Sequence, residues 1–142
     1  MESFGILSII LKIIMSKKII NTQEAPEPIG PYSQAVQSGN LLFISGQVAL
    51  IPGTGNIANA DIFEETHQVM KNLKSILSAA NLDFSTVIKT TIFLSDMELF
   101  GQVNEVYGKS FGGNFPAREH YSVKGFPTNV NVKIIIIFAA IN

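Results

Sequence analysis

The chain has no cysteine, and Arg118 is its only arginine. The first absence excludes disulfides, thiol nucleophiles and cysteine-ligated metals. It suits a reducing compartment, and a cytoplasmic location is the expectation. A surplus of either charge is also missing: Lys+Arg is 10 and Asp+Glu is 11, for a net charge of -1. No lysine-rich run disturbs that balance, so nothing advertises a nucleic-acid partner. Charged residues make up only 15% and hydrophobic residues 46% of the 142 positions. That excludes a disordered chain, furnishes one core for one domain, and hints that some surface is buried between subunits. The sequence shows no internal repeat and no long linker. Its two histidines, His67 and His120, lie far apart without clustered carboxylates, which argues against a metal site. Gly53-Thr54-Gly55 lacks the lysine and following helix of a phosphate loop.

What is present begins with an apolar segment, Phe4 to Met15, interrupted only by Ser8 and Lys12 after its glycine. It is short for a bilayer span. Glu2 replaces the basic start of a secretory signal, no small-residue cleavage site follows, and a mitochondrial presequence would carry arginine. The simplest reading is an extension over residues 1–14 ahead of a domain at 15–142. A membrane-associating or targeting role is the alternative. No membrane contact is expected of residues 15–142.

Gly39-Asn40 between Ala35–Ser38 and Leu41–Ser45 predicts a hairpin, with Ser45-Gly46-Gln47 breaking its second strand. Asp61 and Glu64 resemble a capping box, opening a helix whose apolar stripe is Ile62, Val69, Leu73, Ile76 and Leu77 and whose stop is Asn81. Val87 to Leu94 reads as a strand. Asp96 caps a second helix carrying Leu99, Val103, Val106 and Tyr107 on one face and ending at Gly112-Gly113. Residues 118–123 and 130–141 complete the order β-β-α-β-α-β-β, an α+β domain with its helices on one sheet face. The run from Ile134 to Ala140 demands cover on both faces, and two helices cover one, so a homo-oligomer is expected.

The lone arginine sits in Phe115-Pro116-Ala117-Arg118. A guanidinium grips a carboxylate with two parallel hydrogen bonds, a geometry that lysine cannot copy. A chain that uses lysine everywhere else is spending this arginine on shape, and a pocket for a small carboxylate follows. Strand alternation places His120 on the same side as Arg118 and Glu119 on the other. His120 is then the local proton-transfer candidate, because imidazole titrates near neutrality; the alternative is a histidine held by packing.

Three segments, Ile29-Gly30-Pro31-Tyr32-Ser33-Gln34-Ala35-Val36, Phe43-Ile44-Ser45-Gly46-Gln47-Val48 and Phe115-Pro116-Ala117-Arg118, together resemble the RidA/YjgF family of reactive intermediate deaminases. Lys89 to Leu94 and Val103 to Tyr107 match as well. The resemblance runs from Met15 to Asn142. It implies a chorismate-mutase-like α+β fold, a homotrimer with sites in intersubunit clefts, and hydrolysis of enamine/imine intermediates to 2-oxo acids and ammonia. It implies no metal or organic cofactor. It assigns Arg118 to the substrate carboxylate, and places Tyr32, Ser45, Gly46 and Asn104 around the pocket. His120 falls where many members have a cysteine.

One match fails. The family's final strand carries a glutamate that positions the hydrolytic water, and at that place this chain has Lys133; the last acidic residue is Glu119. Lys133 near Arg118 would feel like-charge repulsion and serve as a neutral amine or a second carboxylate grip, or it simply reaches solvent. The expected function is therefore an imine deaminase, weakened by Lys133 in place of the glutamate. A carboxylate-binding protein of the same fold is the alternative, and a ribonuclease or translation inhibitor is disfavoured by the balanced charge.

Overall fold

The computed structural model describes residues 2–139. Its sheet has six strands: β1 Lys17–Ile20, β2 Ala35–Ser38, β3 Leu41–Gln47, β4 Val87–Leu94, β5 Ala117–Ser122 and β6 Val132–Ala139. Their spatial order is β1-β2-β3-β6-β4-β5, antiparallel except for the parallel pair β4–β5. The helices are α1 Glu2–Met15, α2 Ile62–Ala79 and α3 Phe100–Lys109. This is the expected mixed α+β architecture, with β1 and α1 added at the front.

Local chemistry explains the elements. The β2–β3 hairpin turns at Gly39, whose φ of 56° is the left-handed conformation that glycine adopts without strain. The expected break at Ser45-Gly46-Gln47 is instead a continuation. β3 runs to Gln47, and the register against β6 shifts between Ile44 and Gln47. Such a bulge re-aims side chains while the strand goes on. Asp61 caps α2 by accepting from the Glu64 amide at 2.8 Å, and Glu64 Oε2 accepts from the Ala60 amide at 3.1 Å. The expected stop is seen too: Asn81, with φ 59°, follows the end of α2. Asp96 caps a short 3-10 turn, Met97–Leu99, that leads into α3; that helix ends at Lys109, before the glycines expected to stop it.

The sheet faces differ sharply. Leu42, Ile44, Ile92, Leu94, Val132 and Ile134 are buried against α2, where Val69, Leu73, Ile76 and Leu77 complete the core. Burying each such side chain contributes about 2 kcal/mol. The opposite face presents Ile19, Leu41, Phe43 and Tyr121 exposed. The expectation of a last strand buried on both faces rests on Ile134 to Ala140. Ile134 is buried, but the side chains from residue 135 onward, and Ala140 itself, lie outside the described residues.

Candidate functional site

Arg118 lies on β5, an edge strand of the sheet, in register with Thr90 of β4. Thr90 is buried on the helix-bearing face, so Arg118 projects to that face, beside α3. Asn104 Oδ1 accepts a hydrogen bond from Arg118 Nη1 at 2.7 Å. The guanidinium carbon lies 5.1 Å from the Tyr107 ring centroid and 5.6 Å from that of Phe100. Two rings and one amide thus hold a cation that is otherwise open to solvent. Tyr107 is anchored in turn by a 2.7 Å hydrogen bond between its hydroxyl and Thr90 Oγ1. Burial pushes the Tyr107 phenol above its ordinary range, an effect partly offset by Thr90 and by Arg118. Asn104, Tyr107, Gly108, Phe115, Pro116 and Arg118 line a cavity of about 520 Å³. The polar end is the arginine fork; Phe115 and Pro116 offer an apolar wall. Such a cavity can take a small carboxylate with a short hydrocarbon chain.

His120 is in register with Ile92 and so shares the face of Arg118. Its ring stacks at a tilt on Phe100, with centroids 4.5 Å apart. Its Nε2 is buried, with no hydrogen-bond partner among the described residues. The expectation of a group titrating near neutrality is corrected here. Desolvation first, and the Arg118 charge second, lower its pKa from 6.5 to about 4. His120 is therefore neutral at pH 7. Between pH 6.5 and about 4 the unfolded chain binds the proton and the folded one does not, so this residue costs stability progressively as pH falls through that window. Replacing it by glutamine should flatten the decline in melting temperature over the same range. Parallel melting curves for the two proteins check this; equal slopes would mean that His120 is not desolvated as described.

Tyr32, Ser45 and Gly46 form a second cluster. Tyr32 and Gly46 line a separate cavity of about 300 Å³ with Gln34, Gln47, Ile57 and Thr128 among its other walls. Ser45 Oγ donates to the Ser33 carbonyl at 2.6 Å, which occupies the hydroxyl and argues against a nucleophile. Gly46 lies in the β3 bulge. The two strands β6 and β4 separate β3 from β5, so about 14 Å of sheet lies between the clusters.

Lys133 joins neither cluster. It is in register with Phe93, which is in register with Tyr121. All three belong to the open face, opposite Arg118 and His120. The expected repulsion between Lys133 and Arg118 therefore has no basis within one chain. The only ion pair of β5 among the described residues, Lys89 to Glu119 at 2.9 Å, is also on the open face. It holds the Glu119 carboxyl below its usual range through the Lys89 hydrogen bond and charge. His67 is exposed on α2, away from both cavities.

Sequence reasoning missed the ring sandwich around Arg118. Phe100, Asn104 and Tyr107 recur at helical spacing, a signal that could have placed all three along one side of α3.

The model of the family described as Endoribonuclease L-PSP matches residues 22–140. The 2-iminobutanoate/2-iminopropanoate deaminase of Mus musculus is 48% identical over 118 residues, covering 83% of this chain and 87% of that protein. A RutC family protein of Pyrococcus horikoshii is also 48% identical over 118 residues, covering 83% and 94%. The crystal structure of E. coli TdcF with bound serine superposes with a TM-score of 0.82 at 38% identity, covering 86% of this chain and 98% of the other.

Proposed function

This chain belongs to the Endoribonuclease L-PSP family, which takes in the RidA, YjgF and RutC proteins, and from that premise we propose that it hydrolyses small 2-imino acids and their enamine tautomers. The substrate class would be that named for the mouse relative, 2-iminobutanoate and 2-iminopropanoate. The observation that carries the reading is Arg118, fixed by Asn104 between Phe100 and Tyr107 at the polar end of a cavity with an apolar wall.

The chemistry needs little more than placement. The Arg118 fork binds the substrate carboxylate and sets C2 at a fixed distance from the strand. Water adds to C2 of the protonated imine, giving a carbinolamine. A proton passes from oxygen to nitrogen, the C–N bond breaks, and ammonia leaves a 2-oxo acid. His120 Nε2, buried and unpartnered on the same side as Arg118, is a hydrogen-bonding position for the attacking water or the leaving nitrogen. Its neutral state at pH 7 suits a group that orients water without repelling Arg118.

The second cluster enters through oligomerisation. A homotrimer with sites in intersubunit clefts would bring Tyr32, Ser45 and Gly46 of one copy against Arg118 of the next. The exposed apolar residues Ile19, Leu41, Phe43 and Tyr121 give the open sheet face a reason to be covered. Lys133 lies on that same open face and would belong to the subunit boundary.

A second reading rests on one specific feature. No residue of β6, VKIIIIFA, is acidic, so the water-positioning glutamate of the family has no counterpart in that strand. This favours a protein that binds 2-oxo acids without turnover. The two readings part in a coupled dehydratase assay that follows imine loss. We expect wild-type activity, raised by about 10² when a carboxylate is restored on β6 by Lys133→Glu. Binding of 2-oxobutanoate with no wild-type acceleration would replace the deaminase by the binding protein.

A further inference from the structure

We propose that α1 is an interfacial anchor that lays this protein on an anionic lipid surface. The helix leaves its apolar side chains in water: Phe4 is 77% exposed, Ile6 60% and Ile9 60%, and Leu7, Ile10 and Leu11 are exposed as well. A helix that is apolar around most of its circumference is stable only when something covers it. From Phe4 to Lys12 its polar positions are not scattered. Gly5, Ser8 and Lys12 recur at spacings of three and four and so form one narrow stripe. The other positions from Phe4 to Leu11 are isoleucine, leucine and phenylalanine.

That pattern, together with the charges around it, selects the occupant. The 14 residues of α1 span about 21 Å at 1.5 Å per residue, short of a hydrocarbon core of about 30 Å. Among the described residues no helix is long and apolar enough to cross a membrane. A helix of this kind lies in the interface plane, its wide apolar arc among the acyl chains and its polar stripe toward water. Pairing with a second copy would cover only a seam of the arc and leave the remaining isoleucines wet.

Charge points the same way. Lys12 on the stripe and Lys17 and Lys18 just after the helix are all exposed, within reach of the headgroup layer. Residues 1–20 carry three lysines and one glutamate, a net +2; residues 21–142 carry seven basic and ten acidic residues, a net -3. An anionic surface attracts the front of the chain and repels the acidic body. The protein would dock by α1, its body held off the membrane, without the body entering the lipid.

The test is co-sedimentation of the full chain with vesicles of equimolar phosphatidylcholine and phosphatidylglycerol, and with vesicles of phosphatidylcholine alone. The expected result is binding to the mixed vesicles that weakens as salt is raised. It should fall by roughly tenfold or more in the Ile6→Asp/Ile10→Asp variant, and on neutral vesicles it should be weak throughout. Melting temperature and imine hydrolysis serve as controls and should be unchanged, since the helix is outside the core. A full chain that stays in the supernatant overturns the proposal. So does an aspartate variant that binds as well as the wild type. A mass in light scattering that drops in the aspartate variant, without vesicle binding by either protein, would show that the helix serves self-association instead.

Discussion

Replacing Arg118 by alanine is expected to lower kcat/KM for imine hydrolysis by about 10²–10³, the loss typical when a charge-assisted bidentate contact is removed and its partner carboxylate is left unpaired. Lysine should not rescue. An ammonium keeps the charge but loses the fork, and it cannot at once donate to Asn104 and present two parallel donors to substrate. The melting temperature should stay close to that of the wild type, because Arg118 is exposed and its removal leaves no buried group unsatisfied except at the rim of the cavity. The coupled assay and a thermal melt on the same preparations decide this. Alanine and lysine variants that both keep wild-type kcat/KM would remove Arg118 from the site and the proposed function with it. Loss in the alanine variant with recovery in the lysine variant would reduce the role to simple charge.

The carboxylate end proposed for the site could be read from the sequence because it turns on one residue type, while the α3 side chains that hold Arg118 could not. A single arginine among nine lysines stands out for any reader, and strand alternation alone places His120 beside it, as the register with Thr90 and Ile92 bears out. The hairpin at Gly39-Asn40, the Asp61 cap and the strand from Val87 to Leu94 were legible for a similar reason: each is decided by contacts within a few residues. What escaped depends on distant partners. β1 carries Lys17 and Lys18 before two isoleucines and has no periodic signal of its own; it is a strand because β2 is there to pair with it. Lys133 was expected near Arg118, yet residue spacing between two different strands says nothing about shared faces. Only the register through Phe93 and Tyr121 shows them to be opposite. The pKa of His120 was misjudged because burial and the Arg118 charge act on it through space, and neither can be read from the type of the residue.

Glu65 is the residue whose loss should cost the most stability, and nothing in its local sequence marks it. It lies in the first turn of α2 and is 1% exposed. Its Oε1 accepts from the amides of Asn131 and Val132, and Oε2 accepts from Asn131 Nδ2 at 3.0 Å. Asn131 in turn accepts at Oδ1 from Ser95 Oγ and at its carbonyl from the Ser95 amide, at 2.8 and 2.9 Å. One buried carboxylate therefore fastens α2, the end of β4 and the entry of β6. Glu65→Ala would leave the buried Val132 amide and the part-buried backbone and side-chain amides of Asn131 without this acceptor, and would open a void. A loss of about 3–5 kcal/mol is expected from the unsatisfied donors and the cavity together. For a domain of this size that lowers the melting temperature by roughly 10 °C or more. Glu65→Gln keeps one carbonyl oxygen for the two backbone amides and should cost much less, the remaining conflict lying between two side-chain amides. Calorimetric melts of the two variants check the order. A glutamine variant as unstable as the alanine one would mean that the charge itself is required. An alanine variant with the wild-type melting temperature would mean that water supplies the acceptors, and the fastening would be dispensable. The link to function runs through register. Val132 begins β6, and the alternation from it decides that Lys133 faces the open side while Ile134 enters the core. A strand entry loosened at Asn131 should therefore weaken imine turnover at temperatures below the melt, in the alanine variant and not in the glutamine one.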